Sequence, residues 1–120
     1  MAKVRYFVDD VDAAVSFYVQ HLGFELNFNA GPFAMIEKDD LTLWISGAKT
    51  SAAKPMLDGS VPKPGGWNRF VFEVDDIEAV VASMRKAGIH FRNDIITGVG
   101  GKQIIAEDPS GNPIEVFQPA

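Results

Sequence analysis

The residues of this sequence best suited to chemistry are two carboxylates, Glu73 and Glu115, and three cations, Lys3, Arg5 and Arg69. There is no cysteine, which excludes a disulfide framework, a thiolate metal site and a thiol nucleophile. A carboxylate in a partly apolar hollow can act as a general base, and Glu115 is the first candidate for that role. The two histidines are less suited to it. His21 falls near the end of a predicted helix, where an imidazolium complements the helix dipole, so it reads as a surface residue. His90 sits in Ile89-His90-Phe91, where alternation turns it towards solvent or a ligand, and the two histidines match no zinc-ligand spacing. Gly98-Val99-Gly100-Gly101-Lys102 lacks the spacing of a phosphate loop and reads as a hairpin connection.

The elements that must position these residues are written twice. Val8-Asp9-Asp10-Val11-Asp12-Ala13-Ala14-Val15 returns as Val74-Asp75-Asp76-Ile77-Glu78-Ala79-Val80-Val81, with five identities at an offset of 66 (74 − 8). Each copy predicts a strand, 4–8 or 69–74, then a capping aspartate, Asp10 or Asp76, and an amphipathic helix. Val11, Val15, Tyr18 and Leu22 set the first helical rhythm up to Gly23; Ile77, Val81 and Met84 set the second up to Gly88. Three strands are expected after each helix: 24–28, 33–36 and 41–45, then 89–91, 103–106 and 114–117. The fold class is therefore α+β, two βαβββ modules in tandem. Residues 1–120 form a single domain, with module one at about 1–46, a Gly/Ala/Ser/Pro-rich linker at about 47–66 and module two at about 67–120.

Strand alternation divides the side chains between two faces. One phase is apolar and expected under the helices: Val4, Tyr6, Val8; Leu41, Leu43, Ile45; Phe70, Phe72, Val74; Ile114, Val116. The other is mixed: Lys3, Arg5, Phe7; Thr42, Trp44; Arg69, Val71, Glu73; Glu115, Phe117. Aromatic residues alternating with charges suit the wall of a partly wet cup better than open surface or dry core. With three cations against two carboxylates, that wall favours an aromatic ligand bearing an acidic or polar group.

Length and composition limit the partners. At 120 residues and 47% hydrophobic content the chain can bury one core, and no apolar run approaches the roughly 18 residues of a membrane span. No signal-peptide core follows the N-terminus, so a cytoplasmic location is expected, with no membrane partner. A net charge of −5 opposes binding to a phosphate backbone, so no nucleic-acid partner is expected.

Phe17-Tyr18, Leu22-Gly23-Phe24 and Glu107-Asp108-Pro109-Ser110-Gly111-Asn112-Pro113-Ile114-Glu115, in that order, resemble the vicinal oxygen chelate superfamily of glyoxalases, extradiol dioxygenases, fosfomycin-resistance enzymes and bleomycin-resistance proteins. The resemblance covers essentially the whole chain. It implies sheets curled into a cup, a homodimer with two pockets each built from both chains, and a loop over the pocket carrying Ile96, Val99 and Lys102. In catalytic members it implies a divalent metal held by His and Glu on the first and last strand of each half. The first-strand positions here are Lys3 and Arg69; aligning Leu41-Thr42-Leu43 with Ile114-Glu115-Val116 makes the last-strand positions Thr42 and Glu115. Lysine and arginine donate and repel a dication, so no metal and no cofactor are expected, and Arg69 is expected to pair with Glu115. The same alignment matches Trp44 with Phe117, whose rings, with Phe7, either sandwich a planar ligand or pack a dimer. Trp67 is open to three readings: pocket wall, dimer contact or hydrophobic plug.

Three functions are open on this reading. The first is a metal-independent small-molecule binding protein of bleomycin-resistance type, in which Lys3, Arg5, Phe7, Thr42, Trp44, Arg69, Val71, Glu73, Glu115 and Phe117 line a ligand pocket at the dimer interface. The alternative is a glyoxalase- or dioxygenase-like lyase, isomerase or oxygenase with a metal-free site and Glu115 as base. A regulatory or interaction module is a third.

Overall fold

The structure, a computed structural model, describes residues 2–120. The chain divides into two compact units, Met1–Gly65 and Gly66–Ala120.

In the first unit, β1 (Val4–Phe7) leads into α1 (Val11–Leu22), followed by β2 (Glu25–Asn29), β3 (Phe33–Lys38) and β4 (Leu41–Ser46). The Asp10 carboxylate accepts a hydrogen bond from the Ala13 amide at 3.0 Å and so occupies a donor the helix cannot satisfy itself. Gly23, at φ 74°, supplies the left-handed residue that ends the helix. The sheet order is β1-β4-β3-β2, with β1 and β4 parallel. Helix α1 buries Val11, Ala14, Val15, Phe17, Tyr18 and Leu22 against the sheet face carrying Tyr6, Ala34, Ile36, Leu43 and Ile45.

The second unit repeats the plan: β5 (Val71–Glu73), α2 (Ile77–Lys86), β6 (Ile96–Thr97), β7 (Gly101–Glu107) and β8 (Pro113–Pro119), in the order β5-β8-β7-β6 with β5 and β8 parallel. Asp76 caps α2 through the Ala79 amide, and Gln118 of β8 accepts from the Ile77 amide at 2.9 Å. The Asp108–Asn112 turn is organised by the buried Asp108 carboxylate, which accepts from the Ser110 and Asn112 amides and from the Asn112 side chain.

Three expectations are corrected. The fourth strand of the second unit is Ile96–Thr97; residues 89–91 form a single bridge, Phe91 to Ala106, flanked by backbone bonds from Glu107 to His90 and from Arg92 to Ile105, because at Asn93 the side chain replaces the backbone as acceptor for the Ile105 amide. The apolar phase is less buried than its composition suggests. In the first unit Val4 is exposed and Leu41 half-buried, each at the first residue of its strand; in the second, Phe70, Phe72 and Val74 are half-buried, where α2 is shorter than α1 and buries Ile77, Val81 and Met84. The first part of the expected linker, residues 47–53, is folded onto the first unit, with a 3-10 turn at Ser51–Ala53, Ala53 buried, and the Gly47 amide bonded to the Pro32 carbonyl.

Candidate functional site

The sheet face opposite α1 carries the candidate residues of the first unit. Arg5 of β1 lies beside Trp44 of β4 in the parallel register, with its guanidinium 5.0 Å from the centre of the indole ring. Its Nη1 donates to Ser46 Oγ at 3.0 Å, and Ser46 is fully buried. Phe33 of β3 meets Trp44 edge-on at 5.8 Å, and Phe28 of β2 lies 6.4 Å beyond it. Arg5, Phe33, Met35, Trp44, Thr50 and Ser51 line an open cleft of about 400 Å³, room for a small ligand. Phe7 and Thr42 are half-buried, Thr42 opposite Glu37, and Lys3 is exposed just before β1. The Trp44 Nε1–H is shut off from solvent without an acceptor among the described residues. A buried donor left unpaired costs about 1–3 kcal/mol.

In the second unit, Arg69 Nε and Nη2 both donate to Glu115 Oε1, at 3.0 and 2.8 Å, and Nη1 donates to the Trp67 carbonyl. The pair expected from the sequence is present and partly buried, with side-chain exposures of 25% and 11%. Phe117 is half-buried opposite Gln103, while Val71 and Glu73 are exposed. Lys102, expected over the pocket, stands opposite Gln118 on the helix-covered face and holds Glu78 of α2 at 2.9 Å; that bond keeps the Glu78 carboxyl below the usual carboxylate range.

Arg92 was not legible as a site residue. Its guanidinium donates to Glu107 at 2.7 Å and to the Gly66 and Gly111 carbonyls, and stacks 4.7 Å from the Trp67 ring. It ties the start of the unit to the Asp108–Asn112 turn, and Trp67 is its stacking partner. His90, with its side chain exposed, stands 3.6 Å from Glu107.

The strand registers correct the alignment of the two halves. With the 66-residue offset, Arg5 corresponds to Val71. Arg5 pairs with Trp44 and Val71 pairs with Glu115, so Trp44, not Thr42, is the counterpart of Glu115. Phe7 pairs with Ser46 and Glu73 with Phe117, so Phe117 matches Ser46, not Trp44. The four symmetric seats are Lys3, Trp44, Arg69 and Glu115.

A family model for the Glyoxalase/Bleomycin resistance protein/Dioxygenase superfamily matches residues 1–116. The chain belongs to this superfamily. Among solved structures it is similar to lactoylglutathione lyase from Agrobacterium tumefaciens, at 20% identity over 98% of this chain and 92% of that one, with a TM-score of 0.75. It is also similar to the genomically encoded fosfomycin resistance protein FosX from Listeria monocytogenes, at 11% identity over 100% and 93% of the two chains and a TM-score of 0.76. An antibiotic binding protein from a Streptomyces species aligns at 22% identity over 100% and 97%, with a TM-score of 0.70. These likenesses show the shared fold. No curated protein matches the sequence significantly.

The superfamily resemblance implies a divalent metal at the four seats, and the donor set does not fit one. Two seats are cationic, the third is an indole that can only donate, and the fourth is a carboxylate whose Oε1 already accepts two guanidinium N–H groups. Among the described residues no three His, Asp or Glu side chains converge as a metal cluster elsewhere.

Proposed function

We propose that this protein is a metal-independent small-molecule binding protein of bleomycin-resistance type, holding a bulky planar ligand against Trp44. The observation that carries this reading is the replacement of a ligating side chain by an indole at the seat equivalent to Glu115, flanked by Phe33, Met35 and Arg5 around a cleft of about 400 Å³. Rings meeting at offset or edge-on geometry stabilise a planar guest by about 0.5–1.5 kcal/mol beyond area burial. Thr42, Phe7 and Lys3 border this wall, and Arg69, Val71, Glu73, Glu115 and Phe117 form the matching face of the second unit.

The reading includes a homodimer in which a second copy completes the pocket, as the superfamily resemblance implies. It takes the location as cytoplasmic and excludes nucleic-acid and membrane partners. The charge of −5 supports the first exclusion; no helix among the described residues is long and apolar enough to cross a membrane. The alternative, a glyoxalase- or dioxygenase-like enzyme with Glu115 as base, is weakened by the commitment of Glu115 Oε1 to two guanidinium N–H groups of Arg69, which leaves Oε2 as the oxygen to meet a substrate.

The test is direct because the chain has two tryptophans. In Trp67→Phe protein, Trp44 is the sole indole emitter. Titration with a panel of planar aromatics, from naphthalenes to acridines and anthraquinones, is expected to quench it saturably for at least one compound. A flat response across the panel overturns the reading.

A further inference from the structure

Arg5 differs from every other arginine of the chain. Arg69 holds Glu115 at 2.8 Å, Arg92 holds Glu107 at 2.7 Å and Arg85 stands 3.5 Å from Asp94. Arg5 has no carboxylate in salt-bridge range among the described residues; a single N–H goes to the neutral Ser46 hydroxyl, and the cation lies over Trp44. The remaining N–H groups of its fork have no acceptor among the described residues. Among the described residues Arg5 is also the only charged one lining the cleft, whose other members are Phe33, Met35, Trp44, Thr50 and Ser51. The sole positive charge of an apolar hollow, in a chain of net charge −5, lacks the counter-ion that the other arginines have.

The geometry points to a ligand that supplies that counter-ion: we infer that the cleft selects planar aromatic anions, a ring against Trp44 and Phe33 with a carboxylate or phenolate on the Arg5 fork. The inference rests on the binding reading above and adds the charge class of the guest. A carboxylate suits the site because it matches the planar fork in a bidentate manner. The hydroxyls of Thr50 and Ser51 provide a polar margin, with the Thr50 hydroxyl donating to the Gly47 carbonyl and its oxygen still able to accept.

Three probes with one ring system isolate the charge: 2-naphthoate, 2-naphthamide and 2-(aminomethyl)naphthalene, titrated calorimetrically into the full chain and its Arg5→Gln variant. Naphthoate is expected to bind about tenfold or more tighter than the amide, and the cation more weakly than both, since a hydrogen bond to a charged group is worth about ten- to hundredfold. In Arg5→Gln, naphthoate affinity is expected to fall to that of the amide while the melting temperature shows the fold retained. Equal binding of all three probes, a preference for the cation, or a naphthoate preference that survives in Arg5→Gln overturns the anion inference and leaves aromatic binding standing. No saturable binding by any probe overturns both.

Discussion

Replacing Arg69 by alanine strands Glu115, whose side chain is only 11% exposed and whose Oε1 accepts two of the guanidinium hydrogen bonds. Breaking a fully buried ion pair from one side costs about 3–5 kcal/mol, whereas an exposed pair contributes about 0.2–1 kcal/mol. Arg69 is a quarter exposed and also donates to the Trp67 carbonyl, which places the loss between these limits, at about 2 kcal/mol. In a domain of this length that is a fall in melting temperature of about 5–10 °C. Urea denaturation followed by far-ultraviolet circular dichroism measures it. The control is Arg69→Met with Glu115→Met, which removes both charges and fills the same space. It is expected to recover most of the loss, since a buried pair is often replaceable by apolar groups. A single Arg69→Ala variant within about 0.5 kcal/mol of the parent, the span of ordinary surface substitutions, would refute the claim that this pair occupies the seat as a structural unit.

Two further outcomes are expected. Gly101 sits at φ 145°, and an added Cβ would collide with the Gln118 carbonyl oxygen, so Gly101→Ala should destabilise by more than about 2 kcal/mol, read from the urea midpoint; a neutral result contradicts the close approach of β7 and β8 there. Because the Lys102 hydrogen bond lowers the Glu78 carboxyl, that contact adds stability above the ordinary glutamate range and loses it as pH falls through the lowered value. Nuclear magnetic resonance titration of the Glu78 carboxyl should give a midpoint below the usual value that rises in Lys102→Met; no difference between the two proteins contradicts the contact.

The repeat was legible because both halves spell the same physical instructions: a strand, an aspartate cap, an amphipathic helix and a glycine stop. The charge pair was legible through the superfamily resemblance, which implies that the seats held by Arg69 and Glu115 converge. The match between Trp44 and Glu115 was not. The two halves share little sequence beyond their helices, and the hairpin before β4, with Asp39 at φ 52°, differs from the Asp108–Asn112 turn before β8. Leu41-Thr42-Leu43 and Leu43-Trp44-Ile45 fit Ile114-Glu115-Val116 equally well as text; only the pairing with β1 and β5 separates them. Ser46 is a small polar residue at a strand end, and neither its burial nor its bond to Arg5 is announced by any pattern. Phe33 and Met35 fall on the cleft wall because β3 continues the same face beside Trp44, a register that alternation in one strand does not reveal. Arg92 lies between elements, where periodicity carries no signal, and its role emerges only from the carbonyls it gathers.

At the centre of the account is the claim that cations, an indole and an ion pair fill the seats where catalytic relatives are expected to keep metal ligands. Elemental analysis of the purified protein, joined to calorimetric titration with zinc, nickel, manganese and ferrous ions, tests it most directly. The account predicts no stoichiometric metal and no saturable binding that depends on Glu115. One equivalent of metal retained through purification and lost in Glu115→Gln would contradict it.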